Sequence, residues 1–490
     1  MLDQDKTPYV DAVKRYHELG FIPFHTPGHK IGKGASERLV EVIGERALQA
    51  DAVPQAGIED SRETTGHIRE AERLAAEAYG GDEAWFLVNG STSGVHALAL
   101  FFGQPDQPLI VPRNSHKSLL AGIVFSGAVP HYVEPEIDTE WQIPLGMTAQ
   151  AVARATKEQP GATAVFTSSP NYYGVGADLE GMAEAAHAAG LPFVVDQAWG
   201  PHLRFCEALP ADAMAAGADA AVNSTHKLIA GLTQASLLVA RGERVNLKRL
   251  SGIIKMTQST SRNALIFASI DASRQQMACH GDELWREAIE LSHWGRASIR
   301  EIPGMRILGE EILELDAAHE FDPTRFTLTA RDVGLSGYEL ETILRDDYRI
   351  AVEMAEPINV MFNITHGDSK ESVGALVHAL ADVAARFRGK EPSALLERAA
   401  ALQFPRFTRQ VVSPRAAFYA ASDVVPTGDA VGRVGAEILT PYPPGIPALG
   451  PGEEISQEIV DYLLAAAEIG VRVQGAEDAS LQTLRVVADG

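Results

Sequence analysis

Two cysteines, Cys206 and Cys279, are all that 490 residues contain, and neither sits in a zinc or redox spacing. A disulfide framework is therefore excluded, and the usage fits a reducing cytoplasm. No segment approaches the roughly 20 consecutive apolar residues that a membrane span requires. The first residues, MLDQDKTPYV, carry charge at once and hold no apolar signal region, so a cytoplasmic protein is expected. Basic residues are scarce: 42 Lys and Arg against 65 Asp and Glu leave a net charge of −23. Such a surface repels nucleic acid and anionic membrane, and neither is expected as a partner. It attracts cationic small molecules, weakly and without selectivity. There is no internal repeat, no low-complexity tract, no GxGxxG and no Walker A loop, which weakens dinucleotide and nucleoside-triphosphate readings. No metal is expected either. His25 and His29 mimic a helical metal pair, but Pro27 and Gly28 between them prevent a shared helical face.

What is present is an ordinary globular composition on a chain too long for one compact core, so two or three domains are expected. Val10, Val13, Tyr16 and Leu19 recur at helical spacing before Gly20, and the Pro- and Gly-containing FHTPGHKIGKG that follows is irregular. This arm and its linker occupy 1–60. From about residue 80 strand, turn and helix alternate. Apolar runs at 84–88, 108–112, 130–133, 163–167, 192–196, 219–223 and 235–240 read as buried strands. The alternation predicts an α/β domain over 61–280 with a largely parallel sheet and a ligand at the carboxyl ends of its strands. After 280 the rhythm changes. MRIL, FTLTA, IAVEM and NVMFNIT read as strands, and GYELETILRDD and KESVGALVHALADVAARF as helices, which predicts a smaller α+β domain over 281–400. A last unit, 401–490, contains TPYPPGIPALGPGE, too rich in Pro and Gly for helix or strand.

Four constellations carry chemistry. NGSTSG at 89–94 follows a strand and opens an apolar helix. A helix N-terminus with the hydroxyls of Ser91, Thr92 and Ser93 is a candidate phosphate cup, or one of the three simply caps the helix. Asp196 ends the run PFVVD. A carboxylate there is costly without a partner. It caps a helix, or it serves pyridoxal 5'-phosphate (PLP), whose pyridine nitrogen needs an acid to stay protonated. Lys227, in NSTHKLIAG, follows the strand at 219–223. A lone lysine is usually a surface group, yet a partly desolvated one forms imines readily. His116, in VPRNSHKSLLAG, opens another helix. It caps that helix, or stacks on a flat ring. The dipeptide HK also occurs at 116–117, so Lys117 competes with Lys227. Lys227 is preferred because it follows Asp196 and has Ser224, Thr225 and His226 beside it. Taken together, a hydroxyl-rich helix start, a strand-end acid and a strand-end lysine share one sheet edge, where one flat cofactor bridges them.

The motifs FHTPGHK, LVNGSTSG, RNSHKSLLAG, SPNYYGV, VVDQAWGPHLRF, NSTHKLIAGLTQASLL and PYPPGIPALGPGE, in this order, resemble those of the Orn/Lys/Arg decarboxylase family over about residues 8–455. The resemblance implies PLP-dependent transferase fold type I, like aspartate aminotransferase: a mainly parallel large domain, smaller α+β C-terminal domains, and a family-specific unit over 401–490. It implies the short form, without an N-terminal wing domain. It makes Lys227 the Schiff-base lysine, Asp196 the partner of the pyridine nitrogen and His116 the stacking ring. Ser91, Thr92, Ser224 and His226 hold the phosphate, and Ala198 and Trp199 line the ring pocket. It implies a homodimer or larger assembly with the site near the interface, closed in part by the arm around His25–Lys30 and by PYPPG. Glu437, in VGAEILTPYPPG, is the named partner for the distal cation of the substrate, and His25 in the arm is a second candidate substrate residue. Two phrases depart from the family: DQAWGPHLRF blends the long and short styles, and SRETTGHIREAERLA is an imperfect match.

The reaction expected is loss of the α-carboxylate from a basic L-amino acid, arginine first, then lysine or ornithine, serving polyamine synthesis or pH homeostasis. An aminotransferase or lyase of the same fold is the alternative. It would clamp the substrate carboxylate with an arginine such as Arg415. A non-enzymatic PLP-binding regulator would need a DNA-binding unit and a basic surface, which the −23 charge opposes.

Overall fold

The computed structural model describes residues 1–52, 66–406, 408–443 and 445–489. The expected start of the large domain at 61, residues 61–65 of SRETTGHIREAERLA, and Pro444 of PYPPG lie outside them.

The arm begins with helix α1 (Pro8–Glu18), which has Pro8 in its first turn, where a missing N–H costs nothing. It buries Tyr9, Ala12 and Tyr16, whereas Leu19 is 58% exposed. The buried stripe is therefore set one position earlier than the valines predict, because two tyrosines and an alanine form the packing face. The backbone N–H of Tyr9 donates to Asp271, which ties the arm to the main body. FHTPGHKIGKG forms neither helix nor strand.

Seven strands build the central sheet. Helix α2 (His67–Tyr79) precedes β1 (Glu83–Leu87), and α3 (Gly90–Phe102) follows it. Next come β2 (Pro108–Pro112), α4 (Lys117–Ser126), β3 (Val129–Val133), β4 (Val165–Ser168), α5 (Leu179–Ala188) and β5 (Phe193–Asp196). Then follow β6 (Ala220–Asn223), a single turn α6 (Thr225–Leu228) and β7 (Ser236–Ala240). Their order across the sheet is β1-β7-β6-β5-β4-β2-β3. Only β7 runs against its neighbours. All seven apolar runs are strands, and both sheet faces are covered, as continuous Val, Ile and Leu stretches require. Alternation along β2 sends Leu109 and Val111 into the core under α3, and Ile110 into the opposite core beneath α2 and α5.

A 37-residue helix, α7 (Ala264–Arg300), leaves this domain and enters the next. The expected division at 280/281 falls inside it, because one continuous helix serves both units. Strands β8 (Arg306–Ile307) and β9 (Arg325–Thr329), helix α8 (Gly337–Tyr348), strands β10 (Met354–Ala355) and β11 (Val360–Asn363) and helix α9 (Lys370–Phe387) form the smaller α+β unit. Its antiparallel sheet has the order β8-β9-β11-β10. Of IAVEM only Met354 is strand, and the strand ends at the next residue, Ala355.

In the last unit β12 (Ser422–Pro426) pairs with a later strand, Thr483–Val487. The Pro- and Gly-rich segment is irregular except at its start, where β13 (Thr440–Tyr442) pairs with Arg472–Gln474. The expectation of no strand is corrected there: Pro441 is tolerated because the ladder has only two strands and leaves its outer edge free. No helix among the described residues is long and apolar enough to cross a membrane.

Candidate active site

Because β1, β2, β4, β5 and β6 run in one direction, the residues that follow them meet at one edge. In the register, Asp196 lies beside Ser168 of β4 and Val222 of β6. A cavity of about 570 Å³ opens at this edge. Ser91, Thr92, His116, Asp196, Ala198, Trp199, Ser224, His226 and Lys227 all line it.

The cup forms at the N-terminus of α3. No side chain caps this helix; the Gly90 N–H donates to the Gln234 carbonyl at 3.0 Å, and the N–H groups that follow it stay available. Ser91 Oγ lies 2.7 Å from both Ser224 Oγ and Ser236 Oγ. Ser236 gives its one proton to the carbonyl of Asn223 at 2.7 Å. The hydroxyl protons therefore run Ser224 to Ser91 to Ser236 to the carbonyl. Ser224, at the head of that chain, can turn its proton to a ligand by giving up only its bond to Ser91 and leaving the rest of the chain intact. Ser93 does not join the cup. Its hydroxyl donates to the carbonyl of Gly90 at 2.9 Å, because two helical steps of 100° turn it away from Ser91. His226 donates through Nδ1 to the carbonyl of Ala235 at 2.8 Å, which leaves Nε2 for a ligand.

His116 caps α4 and lines the cavity at once. Its Nδ1 accepts from the Ser118 N–H and lies 2.8 Å from the Ser118 hydroxyl, so the other nitrogen carries the proton. Burial, then the charges of Lys227 and Lys117, lower its pKa to about 4, so the ring is neutral. Asp196 accepts the Ala198 N–H at 3.1 Å. Burial raises its pKa, and Lys227 opposes that rise. The loop after β5 is fixed by Gln197, fully buried, which bonds Asn223 at 2.8 Å and Asp212 at 3.0 Å.

Lys227 Nζ sits 3.8 Å from the centroid of the Trp199 ring. Burial lowers its pKa to about 8. The nearby Asp196 works against that and Arg325 adds to it. Its rival Lys117 does not line the cavity and donates to Gln474.

Two expected substrate residues stand elsewhere. Glu437 is buried, and its two carboxylate oxygens accept backbone N–H groups from Glu477 and Arg485, so it does not line this cavity. His25 stays in the arm, bonded to the Tyr16 hydroxyl and to the Thr26 carbonyl. Arg415 donates to the Phe125 carbonyl at an exposed position and offers no clamp within the cavity. Sequence reasoning missed Asn114, Thr167, Tyr172, Glu353, Tyr442 and Ile446, all in the lining. SPNYYGV and PYPPG marked the neighbourhood of three of them, but nothing local marks Glu353.

The sequence profile of the Orn/Lys/Arg decarboxylase major domain matches residues 7–372, and that of the C-terminal domain of the same decarboxylases matches 397–482. The chain belongs to the Orn/Lys/Arg decarboxylase family. It is 37% identical to an arginine decarboxylase of Bacillus anthracis over 488 residues, covering all of this chain and 98% of that one. Among solved structures, the Escherichia coli constitutive lysine decarboxylase superposes with a TM-score of 0.83 at 20% identity, covering 99% of this chain and 82% of that chain. A ureidoglycine–glyoxylate aminotransferase from Bacillus subtilis shares the fold more distantly, with a TM-score of 0.53 at 15% identity, covering 68% of this chain and 88% of that one. The fold is therefore fold type I, and family and fold neighbours are in general PLP enzymes.

The decarboxylase cavity suits that cofactor on its own chemistry. It offers donors at a helix N-terminus for a phosphate, a carboxylate at the far side for a ring nitrogen, and an amine of lowered basicity. The buried Thr167 hydroxyl, also in the lining, has no partner among the described residues.

Proposed function

We propose that this chain removes the α-carboxylate of arginine, with lysine and ornithine as further substrates, using PLP held on Lys227. The observation that carries the reading is the meeting of Lys227, Asp196, His116 and the Ser91–Ser224 cup in one cavity at the strand ends. When bound, PLP supplies the electron sink for the pair left as the Cα–carboxylate bond breaks. Asp196 would hold the proton on the ring nitrogen. His116, neutral, would lie against the ring without adding charge. Thr92, Ser224, His226 and the N–H groups of α3 would receive the phosphate, while Ala198 and Trp199 complete the ring pocket. Leu145, Pro170 and Ile446 provide apolar wall, which leaves a carboxylate poorly solvated and favours its departure.

A homodimer or larger assembly is part of the same reading. Its support is the arm, where Ile22 and Phe24 are 77% and 92% exposed, more apolar surface than a lone subunit usually shows there.

The test is a product screen. Purified protein with PLP is given arginine, lysine and ornithine, without a keto-acid acceptor. Release of the matching amine and carbon dioxide, in equal amounts and with uptake of one proton, is expected. Appearance of a keto acid with no carbon dioxide would replace this reading with aminotransfer.

A further inference from the structure

A substrate that ends in a cation needs a carboxylate inside the cavity, and Glu437 is not there. Two carboxylates line it among the described residues, Asp196 and Glu353. Asp196 is fixed at the floor by the Ala198 N–H and lies close to Lys227. Glu353 enters from the smaller unit, just before β10, with its side chain exposed to the cavity mouth. Its backbone N–H donates to the Met361 carbonyl at 2.9 Å, which sets it at the sheet edge.

The side chain is held rather than free to drift. Arg325 of β9 and Asn363 of β11 are paired across neighbouring strands, and the Arg325 guanidinium donates to Asn363 Oδ1. That bond decides the orientation of the amide, because only its oxygen can accept from a guanidinium. Nδ2 is left to donate, and it does so to Glu353 Oε2 at 2.9 Å. Arg325 is itself anchored, to the Tyr172 carbonyl at 2.6 Å and over the Trp199 ring at 4.2 Å. The chain Arg325–Asn363–Glu353 thus runs from the ring pocket to the mouth and occupies one carboxylate oxygen of Glu353. Oε1 has no hydrogen bond among the described residues.

We propose that Glu353 receives the distal cation of the substrate and is the residue that selects basic amino acids, with Asn363 as its positioning residue. This rests on the decarboxylase reading and adds to it the source of its charge preference. A planar guanidinium fits the open carboxylate edge with one or two N–H donors. Support for proximity comes from Lys227 and His226, both of which feel the Glu353 charge.

The experiment compares holoenzyme and Glu353→Gln with arginine and with citrulline, whose urea group has the shape of guanidinium without the charge. In the variant the preference for arginine over citrulline should fall about tenfold to a hundredfold, the range for hydrogen bonds to a charged group. The loss should lie in the KM for arginine, with its kcat and the visible cofactor absorbance retained. A binding readout runs beside it: agmatine should bind more weakly by the same factor, while pentylamine, with no distal cation, should bind unchanged. Glu353→Asp, which keeps the charge on a shorter stem, should fall between. An unaltered arginine-to-citrulline preference in Glu353→Gln overturns the proposal. If the unmutated protein releases no amine from any basic amino acid, the decarboxylase reading fails, and that failure shows before any variant is compared.

Discussion

At the scale of single residues, the site depends on shifting two basic groups in the same direction by burial. His116 is neutral with a pKa of about 4, and Lys227 is brought down to about 8. An amine attacks an aldehyde only when unprotonated, so a lowered pKa raises the reactive fraction at neutral pH. An ordinary lysine would need a pH of about 9.4 for the same fraction. The rate at which cofactor-free protein takes up PLP should therefore rise with pH, with its midpoint near pH 8, and level off above about pH 9. A rate still climbing steeply at pH 9.5 would contradict the burial of Lys227. Much of this was legible in the sequence, because Asp196 ends one apolar run, Lys227 closely follows another, and fold logic sends both to one edge. Glu353 was not legible. It reaches the cavity only because three strands of another unit bring Arg325, Asn363 and Glu353 together, and no local pattern records that approach. Glu437 shows the converse: its motif is strong, yet its carboxylate accepts two backbone N–H groups and stands outside the cavity lining.

At the scale of elements, α3 and the strands beside it share a hydroxyl chain. Ser91 is its middle link, between Ser224 after β6 and Ser236 at the start of β7. Ser91→Ala removes two hydrogen bonds at once and leaves Ser224 to find another acceptor, while Ser236 keeps its bond to the Asn223 carbonyl. Cofactor affinity should weaken about tenfold, read from the PLP dissociation constant, while the folded structure survives. An unchanged constant would mean that the cup acts through backbone N–H groups alone. The strands themselves were easy to read, since each is a short apolar run between turn residues. Phase was harder. In α1 the valines suggested one face, but Tyr9, Ala12 and Tyr16 form the buried one. In α3 three neighbouring hydroxyls looked equivalent, and helical geometry sends Ser93 to the Gly90 carbonyl instead.

At the scale of the molecule, the last unit is fastened to the sheet edge by one buried ion pair. Arg113, directly after β2, donates through two nitrogens to the carboxylate of Glu453, at 3.0 and 2.8 Å. It also donates to the carbonyls of Pro447 and Ala448. The same segment brings Tyr442 and Ile446 to the cavity wall. Glu453→Ala strands a buried guanidinium, so stability should drop by about 3–5 kcal/mol in denaturant unfolding. PLP affinity should fall with it, because the wall loses its support. A change under about 1 kcal/mol would show that the pair is not what holds the unit. The sequence marked this segment as ordered and irregular, but not its attachment, since Arg113 and Glu453 are far apart in the chain.

One lysine of the chain carries the cofactor, and HK occurs three times, at 29–30, 116–117 and 226–227. Borohydride reduction of the PLP-loaded protein fixes the cofactor to its lysine, and peptide mass spectrometry then locates it. One modified peptide is expected, containing Lys227. Modification of Lys117 or Lys30 instead, or of no lysine, would contradict it.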